Sequence, residues 1–187
     1  MLAVTPRWSN IICMKNLVLT VISTDRPGIV AELSEIVQKH SGNWLESHMA
    51  NLGGQFAGIV QVAIEPGAVK NLTAALEQLS EKGLTVVVAG AGDAAPVLPT
   101  RSLEIELLGR DHPGIVHEVT EGLADIGVTI ETMQTECFSG SMSGGEMFKA
   151  VLGIVVPESL TYTTIETTLH RISNDMMVDV IIEEPRN

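Results

Sequence analysis

The chain has 187 residues and a net charge of −12 at neutral pH, with 45% hydrophobic residues but only 3% aromatic ones. That hydrophobic share excludes a disordered chain and calls for aliphatic cores of Val, Ile, Leu and Met. The acidic balance, with no cluster of Lys or Arg to offset it locally, repels phosphate backbones and argues against direct nucleic-acid binding. No apolar run is long enough to cross a bilayer. The two cysteines, Cys13 and Cys137, make no disulfide framework and suit a reducing cytosol, so a cytoplasmic protein is expected.

Residues 1–15 read as an N-terminal extension, because Met14-Lys15-Asn16 leads into the first apolar run as a natural start would, and Met1 to Cys13 show no apolar core with a small-residue cleavage site. A first domain, 16–90, then opens. Leu17 to Ser23 is a predicted strand, and Pro27 to His40 a predicted helix with Ile29, Leu33, Ile36 and Val37 on one face. Asn43–Asn51 and Gln55–Glu65 read as extended segments around Gly53-Gly54, which permits a tight hairpin. A helix over 67–82, with Val69, Leu72, Leu76 and Leu79 in register, and a strand over 84–89 complete the unit.

Residues 91–100, without periodicity and holding two prolines, have the composition of a linker. A second domain, 101–184, repeats the order: strand 102–108, helix 113–126, strand 128–138, strand 146–156, helix 160–173, strand 177–182. Its hairpin is a Ser/Gly-rich stretch, 139–145, and its last helix is rich in Thr and must rely on packing through Leu160, Ile165, Leu169 and Ile172. Twice βαββαβ gives an α+β protein: two ferredoxin-like units in tandem, each an antiparallel sheet with its helices on one face.

The repeat is literal at one place. Asp25-Arg-Pro-Gly-Ile-Val-Ala-Glu-Leu-Ser-Glu35 returns as Asp111-His-Pro-Gly-Ile-Val-His-Glu-Val-Thr-Glu121, with seven of eleven residues identical. Each copy marks a strand-to-helix turn. Pro27 and Pro113 supply a pre-set φ in the first helical turn and no donor, so the unpaired N–H groups belong to Gly28, Ile29 and Val30, and to Gly114, Ile115 and Val116. Such a turn suits the carboxylate of an amino acid, whose ammonium group would look to Asp25 or Asp111. The alternative is that each Asp caps the helix and occupies those amides itself.

On the next strand Asn43 and Glu46 are polar candidates, with Asn43-Trp-Leu-Glu-Ser47 aligned to Thr129-Ile-Glu-Thr132 after a one-residue shift that matches Glu46 to Glu131. Asn43 and Glu46 cannot face one side without a bulge. Catalysis has no visible machinery: the histidines form no i,i+4 pair, no two cysteines have metal-ligand spacing, and no phosphate loop or nucleophile elbow occurs. Met133, Met142 and Met147 near Cys137 could be a soft-metal set, but fit better as gap fillers in an aliphatic core. No catalytic residue, metal or cofactor is expected.

Asp-Arg-Pro-Gly-Ile-Val after a first strand, in a βαββαβ unit, resembles the ACT domain, and the resemblance covers both copies. The tandem pair resembles the glycine cleavage system transcriptional repressor family, as do residues 42–56 and the segment Thr-Glu-Cys-Phe to Glu-Met-Phe, 135–148. The resemblance implies a non-enzymatic regulator that senses a small amino acid, with glycine the first candidate, acts through a protein partner and associates into oligomers. It makes Asp25, Arg26, Pro27, Gly28, Ile29 and Val30 one ligand turn and Asp111, His112, Pro113, Gly114, Ile115 and Val116 the other. A separate regulatory subunit of an amino-acid-metabolising enzyme, or a purely structural association module, are the competing readings.

Overall fold

Alternation of buried and exposed residues along Lys15–Thr24 (β1) is what lets one face of a sheet close over a core while the other stays in water. The computed structural model describes residues 14–90, 99–140 and 145–183, which fall into two compact units, 14–90 and 99–183. The expected N-terminal extension and linker lie almost wholly outside the described residues.

In the first unit, β1, Ile29–Lys39 (α1), Asn43–Leu52 (β2), Gln55–Ile64 (β3), Val69–Glu77 (α2) and Leu84–Gly90 (β4) follow in order. The sheet is antiparallel with strand order β2-β3-β1-β4. Leu17, Leu19 and Val21 of β1 and Val60, Val62 and Ile64 of β3 meet Leu33 and Val37 of α1 and Leu72 and Leu76 of α2 in one buried cluster. Fully burying each such aliphatic chain is worth about 1.5–3 kcal/mol. The opposite face is open, so both helices lie on one face.

The second unit repeats the plan with Thr100–Arg110 (β5), Ile115–Asp125 (α3), Thr129–Ser139 (β6), Glu146–Pro157 (β7), Tyr162–Met176 (α4) and Val178–Glu183 (β8), in strand order β6-β7-β5-β8. Its core joins Leu103, Ile105 and Leu107 to Val119, Leu123, Ile165 and Leu169. The fold is α+β, two tandem ferredoxin-like units, as expected from the sequence.

Element ends differ from the pattern reading in instructive ways. The helix expected over 67–82 is α only over Val69–Glu77, with 3₁₀ turns at Pro66–Ala68 and Gln78–Lys82 closed by Gly83 at φ 79°. Helix α4 begins two residues later and ends three later than expected. Thr161 sets its start by accepting from the Thr164 amide at 3.2 Å, so a threonine that weakens helix interiors serves as its cap. Of the 139–145 hairpin, residues 141–144 lie outside the described residues, and Gly140 donates to the Gly145 carbonyl at 3.1 Å across its base.

A bulge occupies the start of β2 and of β6, one edge strand of each sheet. Trp44 pairs with Val62 and Glu46 with Gln61, leaving Leu45 extra; Ile130 pairs with Ile154 and Thr132 with Gly153, leaving Glu131 extra. The bulge that Asn43 and Glu46 need in order to share a face is present, and it turns both to the outer side. The bulges also match Leu45 to Glu131 and Glu46 to Thr132, so the 86-residue spacing of the copies holds here and the one-residue shift is wrong.

Candidate functional site

The paired turns are built alike. Each first strand runs out at the hairpin, where Asp25 donates its backbone N–H to the Gly54 carbonyl at 2.9 Å and Asp111 donates to the Glu146 carbonyl at 3.0 Å. The chain then needs a reversal that only a positive φ provides, and Gly28 (φ 92°) and Gly114 (φ 98°) supply it as the N-caps of α1 and α3. Pro27 and Pro113 therefore stand before the helix, not in its first turn. Ile29 and Ile115, 2% and 3% exposed, plug the core and anchor the turn, while Val30 and Val116 face outward.

Neither helix start carries a side-chain cap. This overturns the reading of Asp25 and Asp111 as helix caps: with glycine at the cap, the aspartates sit three residues back, out of the capping position. Glu32 and Glu118 donate backbone N–H groups to the Gly28 and Gly114 carbonyls. The amides of Ile29, Val30 and Ala31, and of Ile115, Val116 and His117, precede the first intrahelical donor and have the polarity to receive an anion.

The two turns differ in their charged groups. In the first, the Arg26 guanidinium grips Glu32 with both arms, Nη1 to Oε1 at 2.7 Å and Nη2 to Oε2 at 3.0 Å. This hydrogen-bonded pair holds the Glu32 carboxyl below its ordinary value and the Arg26 guanidinium above its own. In the second, His112 replaces Arg26 and its Nδ1 lies 3.2 Å from the Pro113 carbonyl. There the Cys137 thiol of β6 stands beside Asp111 instead. Partial desolvation first, then the charge of the neighbouring Asp111 carboxylate, push the thiol up.

Asn43 does not join the turn. It pairs with Ala63, which pairs with Asn16, so it lies at the other end of β1, about 26 Å of strand from Thr24. The other candidates, Asp25 to Val30 and Asp111 to Val116, form two continuous turns. Pattern reasoning missed the Arg26–Glu32 clasp, whose spacing of six has no periodic rule, and the Cys137–Asp111 contact, which depends on the β6–β7 register. Among the described residues no group of three or more His, Cys, Asp or Glu is placed to hold a metal, and no helix is long and apolar enough to cross a membrane. Met142 of the imagined soft-metal set lies outside the described residues.

Comparisons with known proteins agree on this architecture. The profile of the ACT domain matches residues 15–89. A UPF0237 protein of Methanococcus maripaludis is 35% identical over 78 residues, 40% of this chain and 87% of the relative. The crystal structure of an unknown protein from Galdieria sulphuraria is 32% identical, with a TM-score of 0.82 over 92% of this chain and 99% of that one. The structure of a protein proposed to be a glycine cleavage system transcriptional repressor has a TM-score of 0.69 over 94% of this chain and 99% of that one; at 17% identity this likeness is one of fold alone. With the profile on the first unit, the same strand order and glycine-capped turn in the second, and a relative alike over nearly its whole length, the chain belongs to the ACT domain family.

Proposed function

We propose that the protein is a non-enzymatic regulator that binds a small amino acid at one or both of its strand-to-helix turns and passes the occupancy to a protein partner. The observation that supports this most is the pair of helix starts capped only by glycine, with no side chain on their amides. A carboxylate there gains the amide donors and the helix dipole together, and an α-ammonium group finds Asp25 or Asp111 beside the turn. Glycine is the first candidate ligand. The ligand acts by favouring one packing of units or chains over another, which makes coupling reciprocal between amino acid and partner. The apolar residues on the open sheet face of the first unit, Ile22, Ile59 and Val87, fit association into oligomers. Regulation of glycine cleavage through a transcription factor is the role we favour, in the cytoplasm; a regulatory subunit of an amino-acid-metabolising enzyme shares the site and differs only in the partner.

Calorimetric titration with a panel of amino acids tests the sensor. At least one, at millimolar concentration or below, is expected to give heat and raise the melting temperature, and Gly28→Ala or Gly114→Ala should weaken that response. A β-carbon at either glycine meets nothing within 4 Å, so the substitution costs only the left-handed backbone, about 1–2 kcal/mol, and leaves a folded protein to titrate. Silence across the panel would sink the proposal. Capture of a transcription factor or of a catalytic subunit from cell extract distinguishes the two partner readings.

A further inference from the structure

Among the described residues, strand β8 pairs with β5 alone, which leaves the other edge of residues 178–182 open at the end of the second sheet. A groove of about 660 Å³ runs along that edge. Its lining shows the course: from β8 it takes Val180 and Ile182, which face the helices, and also Asp179 and Ile181, which face the outer side. A space touching both faces of an edge strand must pass across its open backbone. Its far wall is one face of α4, where Tyr162, Glu166, Leu169 and Ser173 recur at spacings of four, three and four. Tyr162 and Ile181 stand 46% and 53% exposed at the rim, while Leu169 is buried.

The charge of this groove has one sign. Glu106, Glu166 and Asp179 line it, with His170, and among the described residues no Lys or Arg does; Glu106 pairs with Lys149 at 3.0 Å. Nor does β8, Val-Asp-Val-Ile-Ile-Glu, contain the Lys or Pro that blunts many edge strands. The acids of the groove do the blunting against a second copy, since two β8 edges brought together would set Asp179 and Glu166 of one against those of the other. The same acids attract a strand of opposite sign.

We infer that the β8–α4 groove binds an extended, basic segment of a partner protein by strand addition. The partner's backbone pairs with β8, its alternate apolar side chains enter beside Leu169, Val180 and Ile182, and its Lys or Arg side chains meet Asp179 and Glu166. Residues 178–182 of β8 span about 17 Å, enough for a segment of five or six residues. The inference rests on the regulatory reading only in supposing that a protein partner exists.

A fluorescein-labelled heptapeptide, Lys-Val-Lys-Val-Lys-Val-Lys, tests this on the full chain, read by anisotropy and by amide exchange. We expect binding that weakens with salt, slowed exchange over 178–182, no binding of the Glu-Val counterpart, and loss on N-methylation of alternate amides. Glu166→Lys with Asp179→Lys, both on exposed side chains, should weaken binding at least about tenfold, or about 1.4 kcal/mol. Glu121→Lys with Glu131→Lys changes net charge equally outside the groove and should weaken it by less than about threefold. Equal weakening by both pairs, undiminished binding of the N-methylated peptide, absent protection over 178–182, or protection there in a peptide-free dimer would each overturn the inference. An amino-acid titration without response leaves these readouts untouched, and their failure leaves the sensing turns untouched.

Discussion

Arg26 and His112 mark where the duplicated turns part company. Arg26 reaches Glu32 with two short hydrogen bonds, so the first turn holds a closed ion pair beside its open amides; Glu118 stands where Glu32 does, but its histidine neighbour contacts the Pro113 carbonyl instead. The pair has a pH signature. The Arg26 hydrogen bond lowers the Glu32 carboxyl from the ordinary 4.5, and a group depressed on folding adds stability that is present above its unfolded value and lost as pH falls through its folded value. Arg26 stays charged throughout. Urea midpoints at pH 7 and pH 3 should therefore differ less for Glu32→Gln than for the natural chain. An unchanged difference would show the clasp to be energetically silent, the usual fate of exposed ion pairs.

At the scale of elements, the bulges at Leu45 and Glu131 decide which polar groups share a face. Because the strand pairs in register on both sides of Leu45, deleting that residue should leave Trp44 opposite Val62 and Glu46 opposite Gln61. The deletion is expected to cost no more than about 1–2 kcal/mol, with the Trp44–Val62 contact still seen by nuclear Overhauser effects. A shift of one residue along the whole strand would instead expose Trp44 and unfold the unit, since register and face are locked together. The corresponding threonine helix, α4, survives its poor propensity because Ile165, Leu169, Ile172 and Met176 bury one stripe and Thr161 caps it.

For the whole molecule, charge is the dominant global property: residues 16–90 carry 4 basic and 7 acidic side chains, and residues 101–184 carry 4 and 15. Raising ionic strength from about 10 to about 150 mM shortens the screening length from about 30 to about 8 Å, which should relieve self-repulsion and raise the melting temperature of the more acidic second unit by about 4–8 °C, near 1 kcal/mol for a unit of its size. A melting temperature that falls with salt would mean that the ion pairs outweigh the repulsion. Much of this architecture is legible in the sequence alone. Aliphatic periodicity at Leu17–Val21, Leu33–Val37 and Leu72–Leu76 determined the βαββαβ order, because burying one face is a local pattern repeated along each element. The Pro-Gly turns were legible too, since a positive φ demands glycine. What only the tertiary structure decided are contacts between residues far apart in sequence: Cys137 on Asp111, Asn43 at the far end from the turn, the groove of β8 against α4. Side-chain period records which face is buried, but strand pairing and bulges set which distant residues meet, and no single segment's pattern encodes its partner's register.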